Sequence, residues 1–474
     1  MSKEGATVEI DISKHSGSGV DKDENGYYYI DKSGGRVLLT DDWYPDPEGI
    51  YRKFTHTPKG GSIGSIYHNG RTLSEISVAS HKSVSVYYWS GDNGFSKPLL
   101  IQLGDGNNYY TDPEGGSTWS KDSGITTGTL RERLNKQNCT RNQVHVIDLS
   151  DKGKSGTPTP YKCPSCDNTR SIKVYSNYSG TTFYQPYRYR SGSSFSVTSF
   201  KDASTWELGL PSIKGVRNIT VEWHKSGDKF PLIYYNQGGQ KFFRRNSENE
   251  NTWIEVSNAN GHPTGTTPNL PLDLSKSSGI TYSGGSSNIS ITVLRSHIGD
   301  GYYRYQYSLR GAPFKVNEIK HEGIPLTGIS FQDALTSVSG YYYGGKNPTD
   351  QSNLLLIELV ISGSNTYQYF YRRTKDADKW TEYYRSGQET SRLQGKDLIE
   401  KLNELKKLKE TLKKLDKLTE LEAKLDQIKK ELSESHNTST LAGTSVGTGL
   451  GGAGLGALAV WKGPALIARL IARL

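Results

Sequence analysis

Three stretches of this chain repeat one pattern, and a repeat of that length constrains the fold more than any overall property does. Ser83 to Trp119, Asn218 to Trp253 and Ser337 to Trp380 each read as a strand, a Gly/Asp/Asn turn, an apolar strand, a glycine turn, an aromatic strand and a closing tryptophan. A short alternating strand opens each copy: VEIDIS at Val8, IKVYS at Ile172 and ISITVL at Ile289. Tyrosines alternate with polar residues at Tyr187-Arg-Tyr189 and at Tyr303-Arg-Tyr305-Gln-Tyr307, which in a strand puts rings on one face and polar groups on the other. His68-Asn-Gly70 and His321-Glu-Gly323 point to a shared turn, and IDLSDKGKSG from Ile147 resembles LDLSKSSG from Leu272 as a linker.

A unit of about 120 residues can bury its own core. The expected fold is therefore mainly β, with three tandem antiparallel β-sandwich-like modules: residues 1–150, residues 151–275 including a linker, and residues 276–392. Trp119, Trp253 and Trp380, recurring at one place in the repeat, are expected in the core. Ring-rich strands such as Tyr367 to Arg373 suit either a protein interface or a half-buried sheet face.

Composition agrees with an all-β body. Glycine accounts for 52 residues and tyrosine for 31, and aromatic and β-branched residues punctuated by Gly, Asn, Asp and Ser favour strands and tight turns. Cys139, Cys163 and Cys166 are too few, and odd in number, for a disulfide-built scaffold. The net charge of +9 is scattered along the chain, so a slightly basic surface is expected and no nucleic-acid partner.

After the third copy the composition changes. Residues 393–435 are rich in Leu, Lys and Glu, and Leu398, Leu402, Leu405, Leu408, Leu412, Leu415, Leu418, Leu421, Leu425, Ile428 and Leu432 recur at steps of three and four. That is one apolar stripe on a long helix. The threes at Leu415, Leu418 and Leu421 break a strict heptad, so a stammered coiled coil, a helix packed on the modules and a homo-oligomeric zipper all stay open. Residues 436–474 form a glycine-rich tail. Leu441 to Trp461 carries no charge and is long enough to cross a bilayer, and Gly443, Gly447 and Gly451 would let two such helices approach closely. The alternative is a flexible linker ending in a surface helix with Arg469 and Arg473 one turn apart. Membrane lipid is thus an expected partner. The polar start MSKEGATVEIDIS has no secretory signal peptide, and sequons at Asn138, Asn177, Asn218, Asn288 and Asn437 permit an exterior location.

Letters that carry chemistry elsewhere are present without their context. Gly60-Gly-Ser62-Ile-Gly64 matches a nucleophile elbow, yet turn-rich β-like sequence follows where a helix is required, so Ser62 is expected in a glycine turn. Gly449, Gly451 and Gly454 match the dinucleotide fingerprint with no preceding strand. Asp21, Asp23, Asn25 and Gly26 begin like a calcium loop but Lys32 stands at its twelfth position, so a hairpin turn is expected. Cys163-Pro-Ser-Cys166 is one thiolate pair at metal-ligand spacing, with Cys139 and His145 as conceivable further ligands. Structural zinc sites usually show two such pairs, so an incidental loop is expected here. No catalytic, cofactor-binding or metal-binding residue is assigned, no cofactor is expected, and the chain reads as a non-enzyme.

The YYWSGD, PLLIQL, YYT and terminal Trp elements, the Leu/Lys/Glu helix and the tail GTSVGTGLGGAGLGALAVWK resemble the expanded paralogous families of piroplasm parasites, of Theileria type with FAINT-like modules, some labelled complement-component or CUB-like. The resemblance covers nearly the whole chain and rests on module architecture. It implies a surface or exported protein in host interaction and transfers no functional residue. The expected function is a non-enzymatic membrane-associated β-repeat protein with a protein partner on its tyrosine-rich faces. The alternative is an intracellular membrane-tethered scaffold that oligomerises through its helix.

Overall fold

A computed structural model describes residues 7–439, except 79, 113–117, 167–171, 177–183, 225–230, 247–250, 259–266, 285–286, 332, 345–349, 365, 373–378 and 384–390. The chain is mainly β, with several antiparallel sheets and one long C-terminal helix, and it divides into two units, Met1–Lys413 and Lys414–Leu474.

Within the first unit, three sets of strands pair in one pattern. In the first set Thr7–Asp11 runs parallel to Ser62–His68, which folds back into Arg71–Thr72. The antiparallel order Gly26–Ile30, Arg36–Tyr44, Tyr51–Pro58, Val84–Trp89, Leu100–Leu103, Tyr109–Thr111, Ser120–Lys121 makes the larger sheet. The third set repeats both parts. Asn269–Asp273 lies parallel to Lys315–His321 followed by Ile324–Pro325, and Ile280–Gly284, Ser287–Gly299, Tyr302–Ser308, Leu335–Tyr343, Leu354–Ile361, Tyr367–Tyr371 and Thr381–Tyr383 form the meander. In the second set one strand, Tyr184–Asp202, serves both sheets. Its first half pairs in the meander with Ile172–Ser176 and Ile213–His224, and its second half lies parallel to Val144–Asp148. Parallel neighbours need a long crossover, and here meander strands provide it.

The parallel pairs share fine detail. Each has its register shift at the same step, Val8/Glu9, His145/Val146 and Leu270/Pro271. Each opening strand ends in an Asp-x-Ser turn in which Asp11, Asp148 or Asp273 accepts from the backbone N–H and the hydroxyl of Ser13, Ser150 or Ser275. These pairings correct the sequence reading of the opening strands. The counterparts of VEIDIS are Val144–Asp148 and Asn269–Asp273, which carry the stretches read as linkers, whereas IKVYS and ISITVL are meander strands. The Asp-x-Ser turn at the end of the parallel-paired strand marks the three as counterparts.

The shared turn is present as expected. Asn69 and Gly70, like Glu322 and Gly323, have positive φ between paired strand ends, and Ala203 holds the same place in the second set. The closing tryptophans are core residues, each nearly inaccessible in its own apolar cluster. Two are held by a glycine. Gly209 and Gly328 adopt positive φ, and a Cβ on either would strike the carbonyl oxygen of Trp253 or Trp380 at about 2.1–2.2 Å.

Helix α1, Leu130–Asn142, interrupts the all-β expectation between the first and second sets. Leu130 and Leu134 are buried one turn apart, and Gln143 in the left-handed conformation ends the helix. Helix α2 spans Gly395–Ser439. In the first unit, Leu398, Leu402 and Leu405 bury against Tyr302, Tyr341 and Leu356, so the stripe begins as a helix packed on the third set. In the second unit Leu418, Leu421, Leu425 and Ile428 are exposed. Among the described residues no helix is long and apolar enough to cross a membrane. The candidate anchor Leu441 to Trp461, and the glycine triplet at Gly449, lie outside the described residues.

Candidate functional site

The tyrosine strand Tyr302–Ser308 is buried on both faces. Its rings, Tyr303, Tyr305 and Tyr307, enter the apolar cluster of the third set, and its alternate residues Arg304, Gln306 and Ser308 meet a loop of the first set. That loop runs from Tyr44 to Tyr51 and carries cis peptide bonds before Pro45 and Pro47. Arg304 donates to Asp46 at 3.1 Å and to Asp42 at 2.7 Å, Gln306 donates to Asp46, and Ser308 donates to the Pro47 carbonyl at 3.1 Å. Arg392 reaches the same Asp46 at 2.5 Å and Glu358 at 3.4 Å. Glu358 is fully buried and also accepts from Ser339, Tyr341 and Tyr369. Burial acts to raise the Asp46 carboxyl, but the Arg304 and Arg392 guanidiniums and Gln306 overcome it and hold that carboxyl below the ordinary range.

The second set joins from the other side. Arg131 of α1 makes a two-pronged ion pair with Glu48 at 2.8 Å and stacks its guanidinium over Trp206 at 4.0 Å. Trp89 donates to Ser212, Lys214 donates to the Gly91 carbonyl, and Gly209 N–H donates to the Arg310 carbonyl. Burial pushes the Glu48 carboxyl up against the opposing pull of Arg131. Single-residue pairings His297–Asp41 and Val256–Ser287 join the sheets edge to edge, and among the described residues the ladders branch at these points without returning into a ring.

A cavity of about 430 Å³ opens at this junction, bordered by Asp46, Leu208, Gly311, Ser337, Tyr367 and Arg392. Its size suits a small molecule. Of the charged groups on its wall, Asp46 is engaged by Arg304 and Arg392, and Glu48 by Arg131. The arrangement is a buried, charge-matched fastening between copies. Such a network fixes one geometry more than it adds net stability, because desolvation consumes most of the Coulombic gain.

The second place of interest is at the start of the second set. Cys139 from the last turn of α1, His145 from the opening strand, and Cys163 and Cys166 from the following loop bring their ligand-type atoms within 4.8 Å of one another. Cys139 Sγ lies 3.2 Å from His145 Nδ1 and 3.9 Å from Cys163 Sγ, and Cys166 Sγ lies 3.9 Å from His145 Nδ1. Cys139 and Cys166 are paired as a disulfide. Sequence spacing supplied the Cys163–Cys166 pair, and the fold brings the two conceivable further ligands to it. A thiol beside an imidazole can serve as a nucleophile and base, but Cys139, His145 and Cys163 are inaccessible here. Burial lowers the His145 imidazole.

The remaining motifs fall where the turn readings expected them. Ser62 begins an exposed strand end with no helix behind it. Asp21–Asp23 pairs with Gly26–Ile30 in a hairpin whose loop is Glu24–Asn25, and Asp23 is bound to Arg36. Of the sequons, Asn138 is fully buried inside α1 and Asn218 is exposed, while Asn177 lies outside the described residues. The junction itself was missed in sequence, although Arg304 and Gln306 alternate with the tyrosines and so signalled a second buried face. No known family model, curated protein or solved structure matches this chain.

Proposed function

We propose that the chain is a non-enzymatic, membrane-associated β-repeat protein in which three sandwich-like copies act as one rigid body that presents its outer surface to a protein partner. The observation that carries this reading is the fate of the reactive groups: at the junction Asp46 is engaged by Arg304 and Arg392, Glu48 by Arg131, and the Ser339, Tyr341 and Tyr369 hydroxyls by Glu358. A protein built this way offers shape and surface. The resemblance to piroplasm repeat families supports a surface or exported setting, and the uncharged Leu441 to Trp461 supports an anchor in lipid. Carbonate extraction with protease treatment of intact cells tests the reading. Retention in the carbonate pellet with loss of the β unit to external protease supports it, and release into the carbonate supernatant overturns it.

A second reading has its own observation. The exposed row Leu418, Leu421, Leu425 and Ile428 supports a tethered scaffold that oligomerises through α2, with the β unit protected from external protease.

A further inference from the structure

We infer that Cys139, His145, Cys163 and Cys166 form a structural zinc site that is specific to the second copy. The first argument is positional. Aligned on the Asp-x-Ser turns, His145 occupies the inward place held by Val8 in the first set and Leu270 in the third, both buried aliphatic residues. Replacing an aliphatic by an imidazole at a core position has an unfavourable desolvation cost unless the ring finds a partner. Here its Nδ1 faces two sulfurs.

The second argument is the loop. In the first set the residues after Tyr29 are held to the opening strand by Asp31, whose carboxylate accepts from Glu9 N–H and Gly35 N–H. The second set places Tyr161 where the first has Tyr29, each phenol accepting from the backbone N–H of the turn aspartate, Asp148 or Asp11. Cys163 then stands where Asp31 does. A metal bound by Cys163 and Cys166 would replace that carboxylate clamp, and Cys139 would extend the clamp to α1.

The third argument is distance. Tetrahedral zinc with Zn–S of about 2.3 Å and Zn–N of about 2.0–2.1 Å sets sulfurs about 3.8 Å apart and sulfur about 3.5 Å from nitrogen. The Cys139–Cys163, Cys139–His145 and Cys166–His145 separations of 3.9, 3.2 and 3.9 Å bracket those values, while Cys139 and Cys166, bonded to each other, must part to reach them. Three thiolates and one imidazole close the coordination sphere, which is the structural type of site. A disulfide between Cys139 and Cys166 engages only half of the set.

The two states interconvert with balanced chemistry. A dithiol reductant gives two electrons and two protons to the Cys139–Cys166 bond and itself becomes a disulfide. The three thiols then release three protons as Zn²⁺ binds, with His145 neutral.

The test uses the full chain expressed in a reducing cytosol, with zinc supplied, and purified anaerobically with a phosphine reductant. Zinc is measured by elemental analysis, and Co²⁺ replaces it for visible absorption. The expected result is about one zinc per chain and a cobalt spectrum of tetrahedral thiolate type. His145→Ala combined with Cys163→Ser should lower bound zinc about tenfold or more, since it removes two of four ligands. A reduced wild-type chain that binds no zinc overturns the inference, whether or not the variant folds. Zinc content unchanged in the double variant also overturns it.

Discussion

Asp46 and Arg304, 258 residues apart in the chain, share a 3.1 Å hydrogen bond in the interior and tie a loop of the first strand set to the tyrosine strand of the third. Removing one partner of such a pair leaves the other charge buried. Arg304→Ala is therefore expected to cost about 3 kcal/mol, the low end for a broken buried pair, because Arg392 still reaches Asp46. Asp46→Ala should cost at least as much, since it leaves Arg304, only 5% exposed, with Asp42 as its one remaining carboxylate. Urea unfolding of both variants, and of Arg304→Met with Asp46→Leu, measures the pair. An apolar double variant less stable than both single variants would contradict the desolvation argument.

The three Asp-x-Ser turns provide an internal control. Asp11→Ala, Asp148→Ala and Asp273→Ala each lose hydrogen bonds to a charged acceptor, expected to cost about 1.5–3 kcal/mol. Asp148 and Asp273 also accept from Ala203 N–H and Glu322 N–H. Those two variants should unfold at lower urea than Asp11→Ala. Equal midpoints for all three would mean that the extra bonds add nothing.

His56 sets an acid limit. It is fully buried, its Nδ1 lies 3.2 Å from the Tyr29 hydroxyl, and burial lowers its pKa to about 3. Because the folded value lies below the ordinary 6.5, the unfolded chain takes up the proton first as pH falls, and stability drops between about 6.5 and 3. From pH 6.5 to 5 this group alone should remove about 2 kcal/mol. His56→Gln should flatten that part of the stability curve, and a wild-type-like slope in the variant would refute the assignment.

The distal half of α2 predicts a separation of folding from association. Leu418→Glu with Leu425→Glu alters exposed positions, so the thermal midpoint of the β unit should move by no more than about 0.5 kcal/mol equivalent. If the leucine row is a seam between copies of this chain, sedimentation of the full chain should shift to a smaller species. Unchanged sedimentation would leave the seam without a role in assembly.

Local pattern made part of this molecule readable in advance. The tryptophans repeat because each closes an apolar cluster, and the α2 leucines repeat because a helix has a fixed period. Asp46 was opaque for the opposite reason: within Tyr-Pro-Asp-Pro-Glu it looks like an exposed turn, and nothing nearby in the chain announces an arginine arriving from residue 304. The Cys/His cluster was half legible. Cys163 and Cys166 are spaced as ligands, but bringing His145 to them requires the parallel pairing, which sequence periodicity does not encode. Helix α1 was missed because Leu130 and Leu134 offer only one turn of apolar signal.

In the first and third strand sets, separate strands joined by loops carry the chain from the larger sheet to the smaller. Tyr184–Asp202 makes that passage in one unbroken strand. Pulled from its ends, the second set has little slack to release between its two layers beyond the irregularity at Arg190–Phe195, so tension would load the ladder bonds together instead of unzipping them in turn. The middle of the chain should consequently be the last part to yield in a single-molecule stretching trace.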